Sequence, residues 1–114
     1  GLFDFNGEKY ATVDWTILES DLGLSGYSFE DIKGFHVLFQ GRYREGPNTG
    51  TFGAYKVNAN GLYIPIFGKT NSDNENWLSV NGYVPNVGAT DRIVLRLAGH
   101  GAWRASFYLW AVDV

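Results

Sequence analysis

An all-β fold, an antiparallel β-sandwich or jelly-roll-like barrel of about seven to eight strands, is what this sequence predicts. Three observations carry that expectation. Apolar and polar residues alternate along most of the chain, the signature of half-buried strands. Turn-forming residues separate these runs at roughly ten-residue spacing, as in sandwiches and barrels. The helix signal is short: Ser28-Phe29-Glu30-Asp31 has a capping-box pattern, but Gly34 follows so soon that one turn is all it can make.

From Lys9 to Ile17, Ala11, Val13, Trp15 and Ile17 share one face, and Tyr10, Thr12, Asp14 and Thr16 the other. Gly34 to Tyr43 puts Phe35, Val37 and Phe39 on its apolar face, with His36, Leu38 and Gln40 opposite. Thr51 to Val57 and Leu62 to Phe67 form a hairpin across Asn58-Ala59-Asn60-Gly61, whose Asn-Gly pair suits the positive φ angles of a tight turn. Pro65 lacks an N–H, so its strand belongs at an edge or carries a bulge. Trp77 to Val84 forms a strand despite Gly82, and Arg92 to Ala98 another, with Ile93, Leu95 and Leu97 on one face. The last strand, Trp103 to Val114, aligns Trp103, Ala105, Phe107, Leu109 and Ala111. From Phe107 to Val112 both its faces are apolar, so it lies centrally or against another subunit.

At 114 residues the chain amounts to a single domain, with room for one core and one task. It begins at Gly1 without an initiator Met, which reads as a fragment or tip of a larger protein. Aromatic residues make up 17% of the sequence, more than a core this small hides comfortably, so some belong at a surface that meets a ligand or a subunit. A formal charge of -3, with no basic cluster, disfavours nucleic acid and anionic membranes. Cysteine is absent, which excludes disulfides and thiolate chemistry. No apolar run approaches the roughly 20 residues that span a bilayer, so membrane insertion is not expected.

Three loops are candidates for function: Arg42 to Thr49, Gly68 to Asn76 and Gly99 to Trp103. The middle one gathers Asp73, Asn74 and Asn76 before Trp77, joining short hydrogen-bonding side chains to an aromatic platform. Sugars need that mixture, since each ring offers an apolar C–H face and a rim of hydroxyls. The same residues also make ordinary turns, with Trp77 entering the core. Asn71, Asp73 and Glu75 alternate as the first oxygens of a calcium loop do, but the glycine and the distal Glu of that motif are missing. No metal or other cofactor is expected.

In the third loop His100, Trp103 and Arg104 sit at a glycine-flanked turn, where Arg104 can pair with the anion of an acidic sugar and Trp103 can stack on its ring. A plain hairpin turn fits equally well. Arg42, Tyr43 and Arg44 carry the same two readings, an anion contact or the charged end of a strand. The candidate ligand-binding set is therefore Trp77, Asp73, Asn74, Asn76, His100, Trp103, Arg104 and Tyr43.

Catalysis finds little support. No G-x-S-x-G elbow accompanies His36 or His100, and HExxH, P-loop and dinucleotide motifs are all absent. A carboxylate pair for glycoside hydrolysis needs only two of the twelve acids, but a deep cleft is hard to build in a chain this small.

The progression Phe29 to Phe39, then Leu62-Tyr63-Ile64-Pro65-Ile66, then a closing hairpin of Asp91 to Leu97 with Phe107 to Val112 resembles the tip domains of bacteriophage tail fibres and related receptor-binding proteins. The resemblance lies in the strand pattern, and no motif transfers ligand residues position by position. It implies a compact β head, usually a homotrimer, displayed extracellularly or on the virion surface, that recognises a cell-surface polysaccharide or protein without processing it. A trimer would also cover the two-sided apolar C-terminal strand. The alternatives are a monomeric carbohydrate-binding module from a polysaccharide-degrading enzyme, and a purely structural virion or appendage protein.

Overall fold

The computed structural model describes residues 3–9, 12–23, 26, 28–44, 50–71, 77–85, 91–98 and 101–114, though not the side chains of 3–9, 43–44, 69–71, 78 and 101–103. Eight strands follow in order: β1 (Phe3–Lys9), β2 (Val13–Ile17), β3 (Gly34–Arg44), β4 (Gly50–Val57), β5 (Tyr63–Asn71), β6 (Leu78–Pro85), β7 (Arg92–Ala98) and β8 (Gly101–Asp113). They form two antiparallel four-stranded sheets, a front sheet ordered β1-β8-β3-β6 and a back sheet ordered β2-β7-β4-β5.

The pairings are nested. β1 pairs with β8, β2 with β7, β3 with β6 and β4 with β5, as in one long hairpin. Contacts of β3 with β8 and of β4 with β7 then roll that ribbon onto itself. This is the jelly-roll arrangement, the more specific of the two architectures expected from the sequence.

Strand alternation explains the core. Phe35, Val37 and Phe39 of β3 are fully buried, as are Ile93, Leu95 and Leu97 of β7, which face them from the other sheet. Phe39 stacks on Phe52 at 3.6 Å between ring centroids, and Phe107 lies 5.0 Å from Phe39. Trp15 and Phe67 border this group from the back sheet. Phenylalanine thus fills the interior, whereas the tyrosines and tryptophans whose exposure is described are half-buried or exposed. That split follows from their polar N–H and O–H groups, which are costly to bury without a partner.

The β4–β5 hairpin forms as expected. Gly61 has φ 80°, its N–H donates to the Asn58 carbonyl at 2.9 Å, and Asn58 Oδ1 accepts from the N–H groups of Asn60 and Leu62. Pro65 meets both of its expected conditions. β5 is an edge strand, and the register shifts so that Ala54 faces Phe67 while Tyr55 faces Pro65, leaving Ile66 unopposed. Gly82 is required on β6 because the ring of Phe67, arriving from the back sheet, occupies the space a Cβ would take.

Four expectations change. The run from Lys9 to Ile17 is not one strand: β1 ends at Lys9 and β2 begins at Val13, with Tyr10 and Ala11 outside the described residues. The capping box at Ser28 does make a single 3-10 turn, Phe29–Asp31, but a second one, Glu19–Leu22, precedes it. β7 and β8 do not form a closing hairpin, since they lie in opposite sheets. On β8 the alternation is broken, because Leu109 faces Val37 while Ala111 faces His36, leaving Trp110 as a one-residue bulge. Past the bulge the faces exchange. Val112, opposite the buried Phe35, packs on the core, and Ala111 shares the outer face with His36. The expectation that β8 is central holds, with β1 and β3 on its two sides.

Candidate functional site on the front sheet

The outer face of the front sheet is built by the residues that alternate with the core: His36, Leu38, Gln40 and Arg42 on β3, Ser79, Asn81 and Tyr83 on β6, and Arg104, Ser106 and Tyr108 on β8. The bulge adds Trp110. One inserted residue turns this indole outward, where it is 57% exposed and its Nε1 donates to Asn81 Oδ1 at 3.1 Å. The His36 ring lies between Trp110, at 4.8 Å, and Tyr83, at 4.7 Å.

Asp113 closes this aromatic group. Its carboxylate is 3.8 Å from His36 Nε2, and its backbone carbonyl accepts from the Lys33 N–H, which fixes the end of β8 to the start of β3. Desolvation raises the Tyr83 phenol above its ordinary value, and Asp113 raises it further as hydrogen-bond partner and as a negative charge.

At the other end of the same face stands Trp77, one residue before β6. Extending the β3–β6 register places it beside Arg42, whose guanidinium carbon is 5.3 Å from the centre of the indole ring. Trp77 is 56% exposed, so of its two sequence readings entry into the core does not hold. Arg42 and Arg104 are direct cross-strand partners. Between the two indoles lies a polar middle of Gln40, Ser79 and Ser106. The span is about 13 Å, since Trp110 bonds Asn81, four residues along β6 from Trp77.

Of the residues picked from sequence, Trp77 and Arg104 are described, and both belong to this face. Asp73, Asn74, Asn76 and His100 lie outside the described residues, as does Glu75 of the weak calcium pattern. Tyr43 and Trp103 are described by backbone alone and face each other across β3 and β8. Sequence reasoning missed His36, Asn81, Tyr83 and Trp110, because it looked for function in loops. The signal in the sequence is the outward half of each strand alternation, which puts His36, Leu38 and Gln40 on one face.

On the outer face of the back sheet the central arginine is paired within the chain. Arg96 Nε and Nη2 donate to the two Asp14 carboxylate oxygens at 2.8 and 2.9 Å, and its guanidinium lies over Tyr63 at 4.6 Å and Tyr55 at 5.3 Å. The bond to Asp14 holds the Arg96 pKa above its ordinary value. A shallow concavity of about 420 Å³ lies beside these rings, bordered by Gly53, Pro65 and Gly68.

Among the described residues no three His, Asp or Glu side chains gather as metal ligands would, and no helix is long and apolar enough to cross a membrane. Fold and surface together define a jelly-roll domain whose front sheet carries two largely exposed indoles on its outer face. Compared with protein families, curated proteins and solved structures, the chain matches none.

Proposed function

We propose that this domain is a non-catalytic recognition module that binds a cell-surface polysaccharide along the outer face of the front sheet, as receptor-binding heads of the tail-fibre type do. The observation that carries the reading is the pair of indoles, Trp77 and Trp110, each more than half exposed at opposite ends of one face. Exposed indoles on one sheet face are platforms for the C–H faces of sugar rings. The side chains between and beside them, Gln40, Ser79, Asn81 and Ser106, supply donors and acceptors for hydroxyls. A face this long suits several linked sugars better than one.

An array of glycans and bacterial polysaccharides, probed with wild-type protein, Trp77→Ala and Trp110→Ala, tests this. Selective binding that weakens in both variants supports it, and silence across the array overturns it. Homotrimeric assembly, with display outside the cell or on a virion, completes the proposal. A trimeric mass at micromolar concentration is its expected result, whereas a monomer that binds glycans would favour the detached carbohydrate-binding module.

A further inference from the structure

Arg42 and Arg104 stand directly opposite each other on neighbouring strands, which brings their Cβ atoms to about 5 Å. Like charges in such a pair repel. Among the described residues neither guanidinium has a carboxylate within ion-pair distance, and Arg42 Nε is buried without an acceptor. On the back sheet the equivalent position opposite Arg96 holds Asp14, so this fold can neutralise a sheet-face arginine, and among the described residues no carboxylate does so at Arg42.

The Arg42 guanidinium lies over the Trp77 ring, and Arg104 is exposed beside it. Two guanidiniums held this way present several N–H donors to one oxyanion. With a net charge of -3 and no larger basic cluster, the chain suits isolated anions on a sugar polymer and not a continuous phosphate backbone.

We infer that the Trp77 end of the front face is an oxyanion subsite, in which Arg42 and Arg104 hold a carboxylate, sulfate or phosphate carried by a sugar whose ring rests on Trp77. The ligand is therefore an acidic polysaccharide. This rests on the reading of the front face as a polysaccharide site.

The test measures binding of polygalacturonate, chondroitin sulfate, a phosphorylated mannan and neutral dextran to wild-type protein, Arg104→Gln, Arg42→Gln and Trp110→Ala, each checked for folding by circular dichroism. At least one acidic polymer is expected to bind better than dextran and to weaken on adding salt. Either arginine variant is expected to lose roughly tenfold or more of that affinity, as for a lost charge-assisted hydrogen bond. The three acidic polymers distinguish the anion. Dextran bound as tightly as the acidic polymers, with Arg104→Gln and Arg42→Gln indifferent and Trp110→Ala weakened, overturns the subsite and leaves the aromatic platform standing. Silence with all four polymers overturns both.

Discussion

On the back face Arg96 meets Asp14 across the β2–β7 ladder and is covered by two tyrosine rings; on the front face Arg42 meets Arg104 and a tryptophan that remains largely exposed. Both faces thus combine arginine with aromatic rings. Behind, every donor of the fork that the bidentate pair uses is answered within the chain, and the cluster fastens one strand to the next. In front, among the described residues, neither guanidinium has a carboxylate partner and the indole is largely exposed. The contrast shows that composition alone does not mark a site, because satisfied and unsatisfied versions of one motif occur on the same domain.

Removing the support common to both faces has the largest expected effect. Phe39→Ala deletes the ring stacked between the sheets and should lower stability by about 3–5 kcal/mol in denaturant unfolding, disturbing both faces together. Trp77→Ala and Trp110→Ala should separate the faces: each is expected to cost about 1–3 kcal/mol of polysaccharide binding, by analogy with base stacking, and little stability. A Trp110→Ala protein that unfolds instead would make the bulge a structural device. Arg96→Ala should do the reverse, losing about 0.5–1 kcal/mol of stability with binding unchanged, the upper part of the range for an exposed ion pair, as its bidentate geometry warrants.

The smallest expected effect lies away from both faces. Asp31 accepts hydrogen bonds from the Ser28 N–H and Oγ, which lower its carboxyl below 3.8, the backbone bond most. Because the folded value is depressed, this contribution is complete above the unfolded value and disappears as pH falls through the folded one. NMR titration of Ser28→Ala should find the Asp31 carboxyl shifted upward, though still below 3.8 because the backbone bond remains.

Where one face of a strand is polar, the sequence is enough to orient it. Phe35-Val37-Phe39 and Ile93-Leu95-Leu97 went inward as their alternation required, and the Asn58–Gly61 turn named its own hairpin. β1 escaped notice because Asp4, Asn6 and Gly7 break up its apolar residues, and its pairing with β8 is long-range. The Trp110 bulge was illegible for a different reason. Between Phe107 and Val112 both faces are apolar, so a slip of one residue leaves no mark in the hydrophobic pattern. The site shared that obscurity, since His36, Asn81, Tyr83 and Trp110 converge only once β3, β6 and β8 are in register.

The nested pairing also sets a timetable for folding. The innermost pair, β4 with β5, closes across the short Asn58–Gly61 turn, whereas β1 must wait for β8, with Phe3 finding Phe107. Loop closure grows costlier with each outer pair, which favours pairing from the tip of the ribbon toward its ends. Because β8 lies between β1 and β3, the front sheet has no middle until that last strand arrives. The β4–β5 hairpin is therefore the pair whose loop is cheapest to close, and the front face, with Trp110 on β8, is completed by the pairs that cost most to bring together.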